Sequence, residues 1–366
     1  MSPVQTHLIT GFLGAGKTSA IISLLESRPA NERWAVLVNE YGMVSLDHIL
    51  LNDRNWNSMD PGESSSDADE GLTIDEMAGG CFCCTLSDSL PQTLIRLIRR
   101  SQPHRLIIEP TGSGHPASVI DLLRSGRMAT LVDLRSTICL IDPRDYENPR
   151  ITNSEVFRDQ IQMADIAVIN FTDKCAPDQI RRCRDFIAAQ DPPKLVISET
   201  SMGKLDPAWL DVDGTVIRDP YFQNAHNRSP ISPQIKQHSH RREPESIDDS
   251  NDFASRKITE AKPGLGTPLH FQNSGLGQNG AGWIFHPGEI FLREAICEVL
   301  EGLQPLLRLK AILHLDDDWW AIQRRANDFS MTRSAYRRDS RIEVICESDA
   351  IDFQKLDQDL RNCIVK

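Results

Sequence analysis

The sequence predicts a doubly wound α/β domain with a mostly parallel sheet, followed by a small α+β domain. Three observations carry this expectation. Over roughly the first 200 residues, short runs rich in Val, Ile and Leu alternate with amphipathic stretches, the pattern of strands buried on both faces and joined by helices. The glycine-rich stretch GFLGAGKTS (11–19) follows the first run directly. Beyond a long polar segment, apolar runs succeed one another with few helical interruptions, as in an antiparallel-leaning sheet with its helices on one face.

The expected strands of the first domain are HLIT (7–10), WAVLVNE (34–40), RLIIEP (105–110), STICLID (136–142), ADIAVINF (164–171) and KLVISE (194–199). A helix over 17–26 follows the first. Another starts at Ser87, whose hydroxyl can cap it, with Leu90, Leu94, Leu97 and Ile98 at helical spacing. The stretch NDRNWNSMDPGESSSDADEG (52–71) is polar and acidic, and is expected to be a solvated loop. Domain boundaries follow: residues 1–218 form the first domain, 219–267 a polar histidine-containing linker, and 268–366 the second domain. There GWIF (282–285), LLRLKAILHL (306–315), WWAIQRRA (319–326) and RIEVICE (341–347) read as strands, with helices over 289–300 and 353–364. The expected order is β-α-β-β-β-α. Trp319 and Trp320 are expected to place one ring in the core and the other at the domain junction.

Composition narrows the function. The chain has 366 residues, enough for two cores, with 40% hydrophobic and 25% charged residues, as in ordinary globular proteins. A formal net charge of −12 argues against nucleic acid and against an anionic membrane as partner. No apolar run reaches the roughly 18 residues of a membrane span. MSPVQTHLIT, with a strand starting almost at once, is not expected to be a targeting segment, so a cytoplasmic location is expected. Nine scattered cysteines do not make a disulfide framework. Cys139, Cys175, Cys183, Cys297, Cys346 and Cys363 are expected to be mostly buried, inert thiols.

Gly11-Phe12-Leu13-Gly14-Ala15-Gly16-Lys17-Thr18 fits G-x-x-x-x-G-K-[ST] and stands where that motif needs to stand, between a strand and a helix. Small residues let successive N–H groups point at phosphate oxygens, and the helix adds the positive end of its dipole. Gly11, Gly14, Ala15, Gly16, Lys17, Thr18 and Ser19 therefore form the expected phosphate site. Lys17 reaches the β- and γ-phosphates, and the Thr18 hydroxyl can ligate Mg²⁺. In IIEPTG (107–112), Glu109 closes a buried strand and can hold Mg²⁺ through water, while the Gly112 N–H can meet a γ-phosphate. Asn170 and Asp173 in NFTD (170–173) stand where guanine-binding proteins carry N-K-x-D. An aspartate there accepts two hydrogen bonds that guanine offers and adenine does not. Phe171 replaces the lysine that normally covers the base. Asp47 and Glu40 are candidates for orienting Mg²⁺ or the attacking water, with solvated loop acids as the alternative.

GGCFCC (79–84) brings Cys81, Cys83 and Cys84 together after two glycines. Three thiolates suit a soft or borderline ion such as Zn²⁺, at Zn–S distances of about 2.3 Å. In an extended strand Cys84 would face away from the other two, so convergence needs a turn, which Gly79 and Gly80 make cheap. No second cysteine pair stands nearby, so a fourth position stays open for water, Glu40, His115 or a client protein. Inert thiols in a buried strand, a redox-active set and a structural zinc remain alternatives. His226, His238 and His240 in the linker can gather metal or stay solvated.

Together, GFLGAGKT, VNEYGMVSLD (38–47), GGCFCC, LIIEPTGSGHP (106–116) and NFTD resemble the CobW-like family of phosphate-loop GTPases, which act as metallochaperones or metal insertases. The likeness is greatest to its YeiR-type zinc-binding branch, through WAVLVNEYG, DLRSTICLIDPRD (133–145), GWIF and DSRIEVI (339–345). The resemblance implies a CobW-type C-terminal domain, GTP/GDP with Mg²⁺, and Zn²⁺ at Cys81, Cys83 and Cys84. It also implies GTP hydrolysis coupled to metal delivery to a client metalloprotein, with a nucleotide-dependent homodimer left open. Where the family writes N-E-x-G-E, this chain has Met43 as the last residue, so no role of that glutamate carries over. Two rival functions are weighed beside the metallochaperone. One is a zinc-sensing or regulatory protein with a structural zinc and no metal transfer. The other is a small-molecule kinase, for which no basic lid is found, RRCRD (181–185) reading as a solvated helix face.

Overall fold

The computed structural model describes residues 2–39, 71–77, 89–214, 218–220, 263–275, 278–316, 318–325, 328–334, 339–347 and 350–365. Two sheets organise them. The first contains β1 (Val4–Gly11), β2 (Trp34–Asn39), β3 (Leu72–Met77), β4 (Arg105–Glu109), β5 (Val132–Ile141), β6 (Ile166–Ile169) and β7 (Val196–Glu199). Its order is β3-β2-β4-β1-β5-β6-β7, and every pair is parallel. Five longer helices accompany it: α1 (Lys17–Glu26), α2 (Ser89–Ser101), α3 (Pro116–Arg124), α4 (Glu155–Met163) and α5 (Pro177–Ala188).

The apolar runs make this sheet because both faces are covered. Leu8, Leu37, Leu106 and Ile108 pack on one side with Leu90, Leu94 and Leu97 of α2 and Val119, Ile120 and Leu123 of α3. Ile9, Val36, Val38, Ile107 and Leu140 pack on the other with Ala20, Ile21 and Leu24 of α1. β3 was not expected. Its sequence LTIDEM directly follows the acidic stretch, and as an edge strand it has only one neighbour to satisfy. The Ser87 cap lies outside the described residues.

The second sheet contains β8 (Leu269–Gly275), β9 (Gln278–Phe285), β10 (Arg308–Leu315), β11 (Asp318–Arg325), β12 (Asp328–Arg333) and β13 (Ser340–Glu347). Its order is β12-β11-β10-β13-β9-β8, antiparallel throughout. α6 (Arg293–Gly302) and α7 (Phe353–Asn362) lie on one face. The element order is thus β-β-α-β-β-β-β-α. The two strands beyond expectation, β8 and β12, are the edges, and their sequences LHFQNSG and DFSMTR carry too few apolar residues to announce a strand.

Alternation along β10 divides its side chains between two faces. Leu309, Ala311, Leu313 and Leu315 join Trp283, Phe285, Ile342 and Val344 under the helices. Arg308, Lys310 and Ile312 take the opposite face. Trp319 lies on that face with Ile284, Ile312 and Ala321, while Trp320 packs on the helix side between the Arg293 and Arg333 guanidinium groups, 4.4 and 5.8 Å from its ring centre. Among the described residues neither ring makes the domain junction as expected. Phe12 and Leu13 make it, packing with Leu307 and Ile345.

His7 stands at the centre of the first sheet with no exposed surface, and neither ring nitrogen has a hydrogen-bond partner among the described residues. Burial, reinforced by Arg105 and Arg135, lowers it to about 3. The unfolded chain takes up a proton near pH 6.5 that the folded protein refuses, so stability falls as pH drops through 6.5 towards 3. The slope contributed is at most about 1.4 kcal/mol per pH unit. His7→Leu is expected to flatten the acid side of the stability curve by that slope, read by urea denaturation from about pH 7 to pH 5.

Candidate functional site

The crevice of an open parallel sheet lies at the carboxyl ends of its strands, where the strand order reverses. Here the reversal falls beside β1, between β4 and β5. The phosphate loop leaves β1 at that point and opens α1 at Lys17. Three neighbouring strand ends close around the loop.

From β4, Glu109 is 4% exposed and its Oε1 accepts from the Thr18 hydroxyl at 3.4 Å. Gly112 follows, and its backbone crowds the loop. A Cβ there would meet the Leu13 nitrogen at 2.7 Å and the Lys17 Nζ at 2.8 Å. The absence of a side chain is what lets the two segments touch. The Lys17 ammonium is buried and donates to the carbonyls of Gly11 at 3.0 Å and Phe12 at 3.3 Å. Burial lowers it to about 8, while the charge of Glu109 holds it up.

From β6, Asn170 is fully buried. Its Nδ2 donates to the Ala15 carbonyl at 3.0 Å, and its Oδ1 accepts from the Gly203 N–H at 3.1 Å. Its side chain therefore ties the phosphate loop to the loop after β7, which in turn lies against Ser19 and Ala20. Phe171 adopts a left-handed conformation (φ 57°) and opens a short 3-10 turn, Thr172–Lys174, that leaves Asp173 exposed. The Arg144 guanidinium lies 5.2 Å from the Phe171 ring centre and Lys174 Nζ 5.7 Å from it. A ring with a cation over its face and an exposed carboxylate two residues on can cover a base and accept from its edge.

From β5 come residues that motif reading did not single out. Asp142 caps a single turn, Pro143–Tyr146, by accepting from the Arg144 N–H, and it also receives the Arg144 side chain. Asp142 and Asp145 are both buried. Both pair with Arg325, which arrives from β11. The signal was thin: D-P-R-D after a buried strand reads as a capped turn, and nothing local marks a partner some 180 residues away.

Lys17, Thr18, Glu109 and Gly112 are thus brought together with the loop residues Gly11, Gly14, Ala15, Gly16 and Ser19, and Asn170 joins them as a brace. An oxygen pair such as Thr18 and Glu109 at a phosphate site fits a hard cation like Mg²⁺. His115 turns inward, its Nδ1 2.5 Å from Oδ2 of Asp159 with both side chains buried, so its ring is not offered to solvent as an open ligand. Glu40, Asp47, Cys81, Cys83, Cys84, His226, His238 and His240 lie outside the described residues. Among the described helices, none is long and apolar enough to cross a membrane.

Comparison with known proteins agrees with this architecture. Residues 5–197 match the family model described as CobW/HypB/UreG, nucleotide-binding domain, and residues 281–364 match the cobalamin synthesis protein cobW C-terminal domain. The chain is 33% identical over 352 residues to zinc chaperone YeiR of Escherichia coli (strain K12), covering 94% of each. It is 31% identical over 223 residues to zinc-regulated GTPase metalloprotein activator 1 of Schizosaccharomyces pombe, covering 58% of this chain and 50% of that protein. The crystal structure of Zn(II)-bound YjiA GTPase from E. coli aligns over 99% of both chains at 17% identity, with a TM-score of 0.41. With a phosphate loop, a braced carboxyl edge and both domain models in order, the chain belongs to the CobW/HypB/UreG family, of the form that carries a CobW C-terminal domain.

Proposed function

We propose that this chain is a cytoplasmic zinc-binding GTPase that acts as a metallochaperone, coupling GTP binding and hydrolysis to Zn²⁺ retention and transfer to a client metalloprotein. The observation that carries the reading is the convergence of Lys17, Thr18, Glu109 and Gly112 at one carboxyl edge, in a chain similar over 94% of its length to a protein named zinc chaperone.

The nucleotide's phosphates enter the loop and draw Lys17 from the Gly11 and Phe12 carbonyls it holds without nucleotide. Asp173 accepts from the base, and Phe171 covers it. Thr18 and Glu109 would hold Mg²⁺, which would supply positive charge to the β- and γ-phosphates for hydrolysis to GDP and phosphate. Gly112 follows Glu109 by three residues, so movement of its N–H with the γ-phosphate shifts the whole segment after β4. Cys81, Cys83 and Cys84 follow β3 in sequence, and the carboxyl end of β3 lies on the same sheet edge. Zinc held by those thiolates as cargo would then be gripped or released with nucleotide state. A 1.4 kcal/mol difference between the GTP and GDP states is already about tenfold in affinity.

Chelator competition on the reduced protein is the test, with no nucleotide, with GDP, and with a non-hydrolysable GTP analogue plus Mg²⁺. Zinc affinity is expected to shift about tenfold or more with nucleotide, and Cys83→Ser to abolish tight binding. Equal affinity in every state would make the zinc structural and remove transfer from the reading.

Lys17 gives a second test, independent of zinc. Burial lowers the pKa of its ammonium to about 8, and phosphate oxygens would raise that value on binding. Binding therefore takes up a proton once pH exceeds about 8, and affinity for GDP is expected to fall with rising pH there, by up to about tenfold per unit. Fluorescent-GDP titrations between about pH 7 and pH 9 should show this slope. Lys17→Arg, charged throughout, should bind more weakly with the slope removed.

A further inference from the structure

The face of the second sheet that turns away from its helices carries Arg308, Lys310 and Arg325, and all three influence Lys17 electrostatically. Arg308 is occupied by Glu343 at 2.5 Å. Arg325 is different, because it lies on the phosphate loop itself. A Cβ built on Gly14 would fall 2.0 Å from the Arg325 Cδ and 2.5 Å from its Nε. The arginine stem occupies the space a side chain at that position would need, and the positive φ of Gly14 (75°) disfavours one anyway. At the far end Nη1 donates to Asp142 Oδ2 at 2.7 Å and to the Gly14 carbonyl at 3.4 Å, while Nη2 spans both oxygens of Asp145. Packing of Phe12 and Leu13 on Leu307 and Ile345 holds the two surfaces together around this contact.

The second domain thus lays a guanidinium across a glycine of the phosphate loop. Two buried carboxylates offset its charge. Arginine's planar fork suits phosphate oxygens as well as carboxylate oxygens, and its charge persists at every working pH. A simple bridge between domains needs no seat on the phosphate loop, and Arg144 with Asp328 already supplies one. We propose that Arg325 is an arginine supplied in cis by the C-terminal domain to the terminal phosphates of bound GTP, parked on Asp142 and Asp145 until the loop fills. The proposal rests on the GTPase reading of the loop. In the step it serves, a water oxygen bonds to the γ-phosphorus and the bond from that phosphorus to the β–γ bridging oxygen breaks. The electron pair stays on the GDP β-phosphate, and both of the water's protons leave with inorganic phosphate. Arg325 would balance the charge gathering on the bridging and γ-oxygens.

The test uses the full chain with Mg²⁺, comparing wild type, Arg325→Ala and Arg325→Lys. Single-turnover GTP hydrolysis is measured beside affinities for GDP and a non-hydrolysable GTP analogue. Arg325→Ala is expected to slow hydrolysis by about a hundredfold or more, with GDP affinity within about threefold of wild type. Guanidinium ion in the medium should restore part of the rate to Arg325→Ala. Arg325→Lys, a point charge without a fork, should fall between the two. An unchanged rate together with an unchanged preference for the GTP analogue over GDP would overturn the proposal. So would loss of GDP binding in both variants, which would make Arg325 a structural bridge. If wild type binds guanine nucleotide without hydrolysing it, the GTPase reading fails by itself. Arg325 is then judged on the analogue-over-GDP preference, which Arg325→Ala must reduce about tenfold for the contact to stand.

Discussion

Four segments press closely on the phosphate loop, and the rest of the molecule is arranged around those contacts. Gly112 touches it from β4, Asn170 clamps it from β6, the Gly203 turn abuts Ser19 and Ala20, and Arg325 covers Gly14 from the second domain. Each of these contacts is short because one partner is glycine or backbone. A parallel sheet delivers all its strand ends to one edge, so the loop after β1 becomes a hub that its neighbours can sense by position alone. Close packing makes such contacts discrete rather than elastic, so an occupant that displaces one of them displaces a whole segment.

Charge in the hub is balanced among the protein's own groups. Lys17 donates to two carbonyls of its own loop, and its burial, only partly offset by Glu109, leaves its ammonium easier to deprotonate than in water. Arg325 is met by Asp142 and Asp145. Removing either carboxylate would leave a partly buried guanidinium with less to balance it, and removing the arginine would leave two buried carboxylates side by side, each costlier than the intact set. The set is therefore stable as a whole and exchangeable only for another anion of comparable charge.

What the sequence reveals and what it hides divide along range. The phosphate loop, Glu109 with Gly112, and the buried strands are local patterns, readable because spacing along the chain equals spacing in the element. The edges β3, β8 and β12 escape because an edge strand needs fewer apolar residues, and LTIDEM, LHFQNSG and DFSMTR show it. Asn170 was legible as a nucleotide-site residue, yet its amide is spent on Ala15 and Gly203, because β6 ends where the loop needs a brace. Asp142, Asp145 and Arg325 belong to a contact between distant positions, which no local pattern encodes. Placement of Trp319 and Trp320 failed for a related reason: the junction is made by Phe12 and Leu13, residues whose apolar character reads as loop filler until a second domain sits on them.

The second domain's sheet is amphipathic in an unusual sense, and this explains why a small α+β unit accompanies a nucleotide-binding domain. One face is a conventional core under α6 and α7. The opposite face combines apolar Ile345 with cationic Arg308, Lys310 and Arg325, and is pressed on the phosphate loop by Leu13. β11 and β12 extend the contact, since Asp328 at the start of β12 pairs with Arg144 and Lys174, both of which flank Phe171. One hairpin thereby touches the segment expected to bind the base and the segment expected to bind the phosphates. A domain attached in this way cannot keep both contacts unchanged when a nucleotide enters between them. Under the proposed GTP binding, the position of this domain would follow the occupancy of the loop, as a nucleotide-timed encounter with a partner requires.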